Sequence, residues 1–146
     1  MIITTEYKPE YRDDVVALVQ EFESEFFGEF GLEINHETFD QAIDAQKYSS
    51  FLLLNDGRVE GLLSGQLQHG FGLKGLMWQE VIWYVRKPYR KHGVKLLKAA
   101  MKSLKAQGVK AVIMAHLANE LGSRIGKVYE RYGFKPLEMH YIRRFD

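Results

Sequence analysis

Arg90-Lys91-His92-Gly93-Val94-Lys95 is the stretch of this chain whose residue types and order could do the most chemistry. It follows an apolar run, Val81-Ile82-Trp83-Tyr84-Val85, that breaks at Pro88, and it opens a basic amphipathic pattern starting near Val94. A strand that feeds a glycine turn at a helix N-terminus leaves several backbone N–H groups unpaired, and the helix dipole favours negative charge there. Such a segment reads as a phosphate site built largely from main chain. Amides from His92 through Lys95 would converge on phosphate oxygens, with Arg90 and Lys91 adding mobile positive charge. A plain strand-to-helix connection explains a lone glycine equally well. Glu80 is the second residue that invites a chemical reading, because a carboxylate in an apolar strand needs a partner or a purpose. Burial without a partner raises its pKa toward the range of a useful base, whereas a cross-strand lysine would make it structural. The histidines His36, His69, His92 and His140 show no metal-ligand spacing, and no metal site is expected.

The elements that must position these residues follow from periodicity. A first strand over about Met1 to Glu6 precedes Pro9, which suits a helix start, and Val15, Leu18, Val19, Phe22 and Phe26 then recur at helical spacing. Gly28 and Gly31 interrupt that helix, and Asn35 caps a second one that turns Phe39, Ala42 and Ile43 inward. Ser50 to Leu54 and Val59 to Gln68 read as strands joined through Asn55-Asp56-Gly57, a hairpin signal because Asp and Gly tolerate positive φ. A glycine-rich loop, Gly70 to Gly75, leads to a strand from about Leu76 to Val85. A helix from about Val94 to Ala106 follows, with Lys95, Lys98, Lys102 and Lys105 outward and Gly108 as its stop. A strand over Ala111 to Ala115 comes next, then a helix with Leu121, Ile125, Val128 and Tyr132 on one face. A last strand runs through Phe134 to Phe145. The order β-α-α-β-β-β-α-β-α-β predicts an α/β (α+β) fold with a mixed sheet and helices on both faces.

With 146 residues and 46% apolar content, the chain is read as one domain, residues 1–146, large enough for a core. Zero cysteines exclude disulfides, thiol nucleophiles and thiolate-bound zinc. No stretch reaches the length of a membrane span and no secretory pattern opens the sequence, so a cytoplasmic protein is expected. The net charge of +1 conceals an asymmetry. Residues 1–60 hold 14 of the 19 carboxylates and four of the 20 basic side chains, while the remainder holds five and 16. If those charges also separate in space, one half attracts cations and the other anions. Solvated helix faces that happen to differ in sign would give the same count.

Two motifs and the order of elements together resemble the acetyl-CoA-dependent N-acetyltransferase superfamily (GNAT). Tyr129-Glu130-Arg131-Tyr132-Gly133-Phe134 is similar to that family's Tyr-Glu-x-x-Gly-Phe ending. Arg90 to Lys95 is similar to its Arg/Gln-x-x-Gly-x-Gly/Ala loop, with Lys95 where the family prefers a small residue. A second frame makes Gly93 the last small residue and puts Lys91 in place of the first; both keep Gly93 in the phosphate cradle. The resemblance implies a GNAT-like, mainly antiparallel sheet of six to seven strands. It implies acetyl-CoA as co-substrate, with its pantetheine arm on main-chain groups around Tyr84, Val85 and Arg86 and its diphosphate on Arg90, Lys91, His92, Gly93, Val94 and Lys95. Tyr129 would protonate the departing thiolate, a step a phenol of pKa about 10 can take while neutral at pH 7. Glu80 would take the amine proton, with His116 in reserve because its ordinary pKa suits the task. A core aromatic and a satisfied structural histidine are the plainer roles for Tyr129 and His116, and Tyr132 is read as a packing residue. The implied acceptor is a small-molecule or protein amine. A rim of Glu21, Glu23, Glu25, Glu29, Glu33 and Glu37 would favour a cationic one, such as a polyamine, an amino sugar or a lysine side chain. Pairing of two copies through late strands is a further expectation of the resemblance. A non-catalytic acyl-CoA-binding interaction protein and a basic nucleic-acid-binding module, using Lys98, Lys102, Lys105, Arg143 and Arg144, are the rival readings; the latter ranks lower because no recognition motif accompanies the lysines.

Overall fold

The structure is a computed structural model that describes residues 1–69, 72 and 74–145. Gly70, Phe71 and Leu73 of the expected glycine-rich loop lie outside the described residues. The backbone divides into two units, Met1–Met114 and Ala115–Asp146. Among the described residues no helix is long and apolar enough to cross a membrane.

In the first unit a five-stranded sheet runs in the order β1 (Ile2–Thr4), β2 (Ser49–Asn55), β3 (Arg58–Gln68), β4 (Met77–Val85), β5 (Ala111–Ile113). The first four strands pair antiparallel and β5 joins β4 in parallel, so the sheet is mixed. β2 and β3 meet at a two-residue turn in which Asp56 and Gly57 both have positive φ, 51° and 80°. That geometry matches the right-handed twist of the flanking strands, which is why the Asp-Gly pair announces it. Alternation along the strands separates two faces. Leu52, Leu54, Leu62, Ile82 and Tyr84 form one core with Val15, Leu18 and Val19 of α1 (Arg12–Phe22) and Ile43 of α2 (His36–Asp44). Asn35 caps α2, its side chain accepting from the Thr38 N–H at 3.0 Å. Against the other face, beside Trp83 and Val85, stands α3 (Gly93–Ala106), which buries Leu96, Leu97, Ala100 and Leu104.

Several boundaries differ from the sequence reading. Gly28 does not break the first helix: α1 loosens into a π turn over Glu23–Phe27, then a 3-10 turn over Gly28–Phe30, and stops at Gly31. β5 is three residues long, ending at Ile113 rather than Ala115. In the second unit α4 (Glu120–Arg131) buries Gly122 and Tyr129, whereas Tyr132 is 39% exposed and is not a core residue. The expected last strand is absent among the described residues, and the sheet has five strands rather than six or seven. Leu137, Met139 and Tyr141 do alternate as in a strand, but alternation is only half of the requirement. A strand also needs a ladder partner, Pro136 withholds one N–H, and these side chains stand exposed.

Candidate active site

The first unit places a one-sided strand edge next to a helical start. The β4–β5 ladder pairs Met77, Trp78 and Gln79 with Ala111, Val112 and Ile113 and ends there. β4 continues for six more residues to Val85, and among the described residues no strand pairs with that side of it. On the β3 side Ser64 pairs with Ile82 and Gly65 with Glu80, a bulge that leaves Val81 extra and 40% exposed. The Arg86 N–H donates to the Glu60 carbonyl of β3 at 3.0 Å. Strand alternation therefore directs the main chain of Tyr84 to β3 and that of Trp83 and Val85 to the open edge. Of the two β4 residues expected to offer main chain to a ligand, Val85 lies on that edge and Tyr84 does not. Trp83, which no motif singles out, directs its main chain to that side as well. Glu80 is half-buried at the first residue past the end of the β4–β5 ladder.

The connection from β4 to α3 is not a glycine turn. Lys87–His92 is a 3-10 turn that runs straight into α3, with the Tyr89 N–H on the Arg86 carbonyl at 2.8 Å and the Gly93 N–H on the Arg90 carbonyl. Gly93 is helical, at φ −59° and ψ −42°, and buried. A Cβ there would meet Trp83 and Val85 at 3.7 and 3.9 Å, ordinary contact distances, so neither backbone conformation nor packing within the chain demands glycine. Lys91 and Lys95 are exposed and His92 is half-buried, at the junction of the 3-10 turn and α3. A small buried residue, with exposed lysines beside it, thus follows directly on the stretch of β4 whose outer side pairs with no strand among the described residues.

Arg90 is engaged elsewhere. Its Nε donates to the Val85 carbonyl at 2.8 Å and its Nη2 to both Glu25 carboxylate oxygens at 2.7 Å, while its guanidinium lies over the Tyr84 ring at 5.5 Å and the Phe26 ring at 5.9 Å. The Tyr84 phenol donates to Glu25 at 2.8 Å. Burial pushes the Tyr84 pKa up, the bond to the Glu25 carboxylate adds to it, and the phenol reaches about 12. Burial also pushes Glu25 up, but hydrogen bonds from Arg90 and Tyr84 outweigh it, and its pKa lies below the ordinary carboxylate range. Arg86 is held in the same way, its Nε donating to Glu21 at 2.8 Å and its Nη1 to the buried Glu60 at 3.1 Å. Glu23 accepts from the Ile34 N–H and from His36 Nε2. Of the expected acidic rim, Glu21, Glu23 and Glu25 are thus bound internally. Glu33 and Glu37 are exposed.

In the second unit Tyr129 is 7% exposed and its phenol donates to the Ala115 carbonyl at 2.7 Å. Its ring packs 5.5 Å from Phe134, so the Tyr129–Phe134 motif forms a local packing unit. His116 is exposed, with Nδ1 2.9 Å from the Leu117 carbonyl. It lies against Gly122 and Gly126, where a Cβ would come within 2.8 and 2.9 Å of its ring nitrogens. Asn119 caps α4, accepting from the Gly122 N–H at 2.7 Å. Among the described residues no cluster of three or more His, Asp or Glu could hold a metal ion.

Comparison with known proteins adds three findings. The sequence matches the acetyltransferase (GNAT) family over residues 15–134. No curated protein matches it at a significant level. The fold is similar to that of solved acetyltransferases at low identity. An aminoglycoside acetyltransferase from an uncultured soil metagenomic sample superposes with a TM-score of 0.73 at 13% identity, covering 100% of both chains. A ribosomal-protein-alanine N-acetyltransferase from Brucella melitensis gives 0.72 at 12%, covering 99% of this chain and 100% of that one. A Trypanosoma brucei acetyltransferase gives 0.71 at 14%, covering 99% of both.

Proposed function

The chain belongs to the GNAT family of acetyltransferases, and on that premise we propose that it transfers the acetyl group of acetyl-CoA to a primary amine on a cationic small molecule or a lysine side chain. The observation that carries this reading is the open edge of β4 past Gln79, which runs directly into the helical segment at Lys87–Gly93. The match spans residues of both units, which supports reading residues 1–146 as one acetyltransferase domain. A cytoplasmic setting is part of this reading, and the lack of cysteines is compatible with it.

Acetyl-CoA supplies an activated thioester carbonyl; the chain's residues hold it and move two protons. Main chain at Trp83 and Val85 holds the pantetheine arm by adding hydrogen bonds along the strand edge, and one N–H there polarises the thioester oxygen. His92, Gly93, Val94 and the exposed Lys91 and Lys95 face the diphosphate, with Arg90 and Tyr84 supporting the turn from its inner side. Glu80 takes the proton that the amine loses on attacking the carbonyl carbon, directly or through one water. Tyr129 gives its phenolic proton to sulfur as the carbon–sulfur bond breaks. The exposed Glu33 and Glu37 support a cationic acceptor through long-range attraction. Two of the similar structures are described as acetylating an aminoglycoside and a ribosomal-protein alanine, which supports an amine without choosing among amines.

Calorimetry with acetyl-CoA followed by thiol-release assays tests the proposal. Micromolar binding is expected, with turnover on an amino sugar, a polyamine or a lysine peptide that falls as salt rises. Equal rates on cationic and neutral amines, insensitive to salt, would remove the cationic preference. Binding without turnover on any amine would convert the reading to a non-catalytic coenzyme-binding protein, and no binding would overturn it.

A further inference from the structure

Arg90 and Arg86 stand four residues apart on the turn that leaves β4, and Glu25 and Glu21 stand four residues apart on the helix that faces them. The structure joins them rung by rung, Glu21 to Arg86 at 2.8 Å and Glu25 to Arg90 at 2.7 Å. The Glu25 rung is the richer. Its carboxylate accepts from Arg90 and from the Tyr84 phenol, and Arg90 in turn donates to the carbonyl of Val85, the residue whose main chain lies on the open edge of β4. Charge-assisted bonds of this kind are about twice as strong as neutral ones, and these are only partly exposed to solvent. A continuous chain of contacts therefore runs from the π turn at the end of α1 to the strand edge and to the 3-10 turn. π turns are frequent at functional sites.

Resting on the acetyl-CoA reading above, we propose that Glu25 is a positioning residue of the donor site: through Arg90 and Tyr84 it fixes the Lys87–His92 turn and the Val85 carbonyl before acetyl-CoA arrives. A 3-10 turn by itself has poorer hydrogen-bond geometry than an α-helix. Tying its arginine to a carboxylate on another element removes the freedom that binding would otherwise have to remove, which appears as donor affinity. The opposite view, in which Arg90 leaves Glu25 to grip the diphosphate, makes Glu25 a competitor. Its removal would then tighten acetyl-CoA binding rather than weaken it, so the sign of the effect separates the two.

The test compares Glu25→Ala, Glu25→Gln, Arg90→Ala and the Glu25→Ala/Arg90→Ala double variant by amide hydrogen exchange, acetyl-CoA calorimetry and steady-state kinetics. In Glu25→Ala the Tyr89 and Gly93 amides should exchange at least tenfold faster, with the β2–β3 amides unchanged. The KM for acetyl-CoA should rise at least tenfold, and kcat at saturation should fall far less. Glu25→Gln, which keeps an acceptor oxygen for Tyr84 but loses the charge, should fall between, and the double variant should be no worse than Glu25→Ala because the pair acts as one unit. Unchanged exchange at Tyr89 and Gly93, additive losses, or tighter acetyl-CoA binding in Glu25→Ala would each overturn the proposal. If the unsubstituted protein does not bind acetyl-CoA, the donor reading falls, while the exchange arm still decides whether Glu25 holds the turn. If Glu25→Ala does not fold, Glu25→Gln and Arg90→Ala carry the same comparison.

Discussion

Replacing Gly93 by Ala should move stability and donor affinity in opposite directions, a combination that a purely structural glycine cannot give. Gly93 has helical φ and ψ, and the added methyl would meet Trp83 at 3.7 Å and Val85 at 3.9 Å without displacing either. Alanine in a helix is favoured over glycine by about 0.5–1 kcal/mol, somewhat less at a first turn, and a buried methyl can add up to about 0.8 kcal/mol. The free protein should therefore hold its stability or gain about 1 kcal/mol, a rise in Tm of about 2–4 °C for a chain of this size. The same methyl would stand between the helix start and a diphosphate approaching its main chain. A loss of donor affinity of at least about tenfold, roughly 1.4 kcal/mol, is expected. Thermal unfolding of the free protein and acetyl-CoA calorimetry on the same sample give the two numbers. Raised stability with unchanged affinity would show that no ligand approaches Gly93, and the phosphate cradle would have to be sought elsewhere. A fall in stability would refute the packing argument itself.

Tyr129→Phe removes the O–H that donates to the Ala115 carbonyl, so a stability loss of about 1–2 kcal/mol is expected. Turnover should fall about 10²-fold or more with acetyl-CoA affinity nearly unchanged, and equal turnover would reduce Tyr129 to packing. In Glu80→Gln the acidic limb of the kcat/KM–pH profile should disappear along with about 10²-fold of rate, whereas an unaltered limb would assign the base elsewhere. Tyr84, with its pKa raised to about 12, should ionise well above the ordinary phenol range in a spectrophotometric titration of the folded protein, and Tyr84→Phe should remove that late step. Because that pKa lies above the unfolded value near 10, the stability it reflects is fully present below pH 10 and is lost as pH rises through about 12. Glu25 has the opposite sign. Its lowered pKa stabilises the fold above the ordinary carboxylate range and ceases to as pH falls through it, so Glu25→Gln should flatten the acid limb of the stability curve.

Local signals determined most of the elements from sequence alone, because each depends on neighbours in the chain. The Asp56-Gly57 turn, the Asn35 cap and the inward stripe of α3 are cases in which a few adjacent side chains decide the backbone. The Tyr129–Phe134 motif was legible for the same reason, since its ring contact spans five residues. What sequence could not assign is the pairing of charges across long separations. Glu21 and Glu25 look like a solvated acidic rim, and Arg90 like a mobile phosphate ligand. Only the tertiary fold brings residues 65 positions apart together and sets their charges against each other. Strand identity at the C-terminus failed on the same ground: alternation at Leu137, Met139 and Tyr141 specifies a face, but the ladder that makes a strand belongs to two segments. That β4 runs on past its partner is likewise a property of where β5 ends, and a strand's own residues carry no record of the length of the strand beside it.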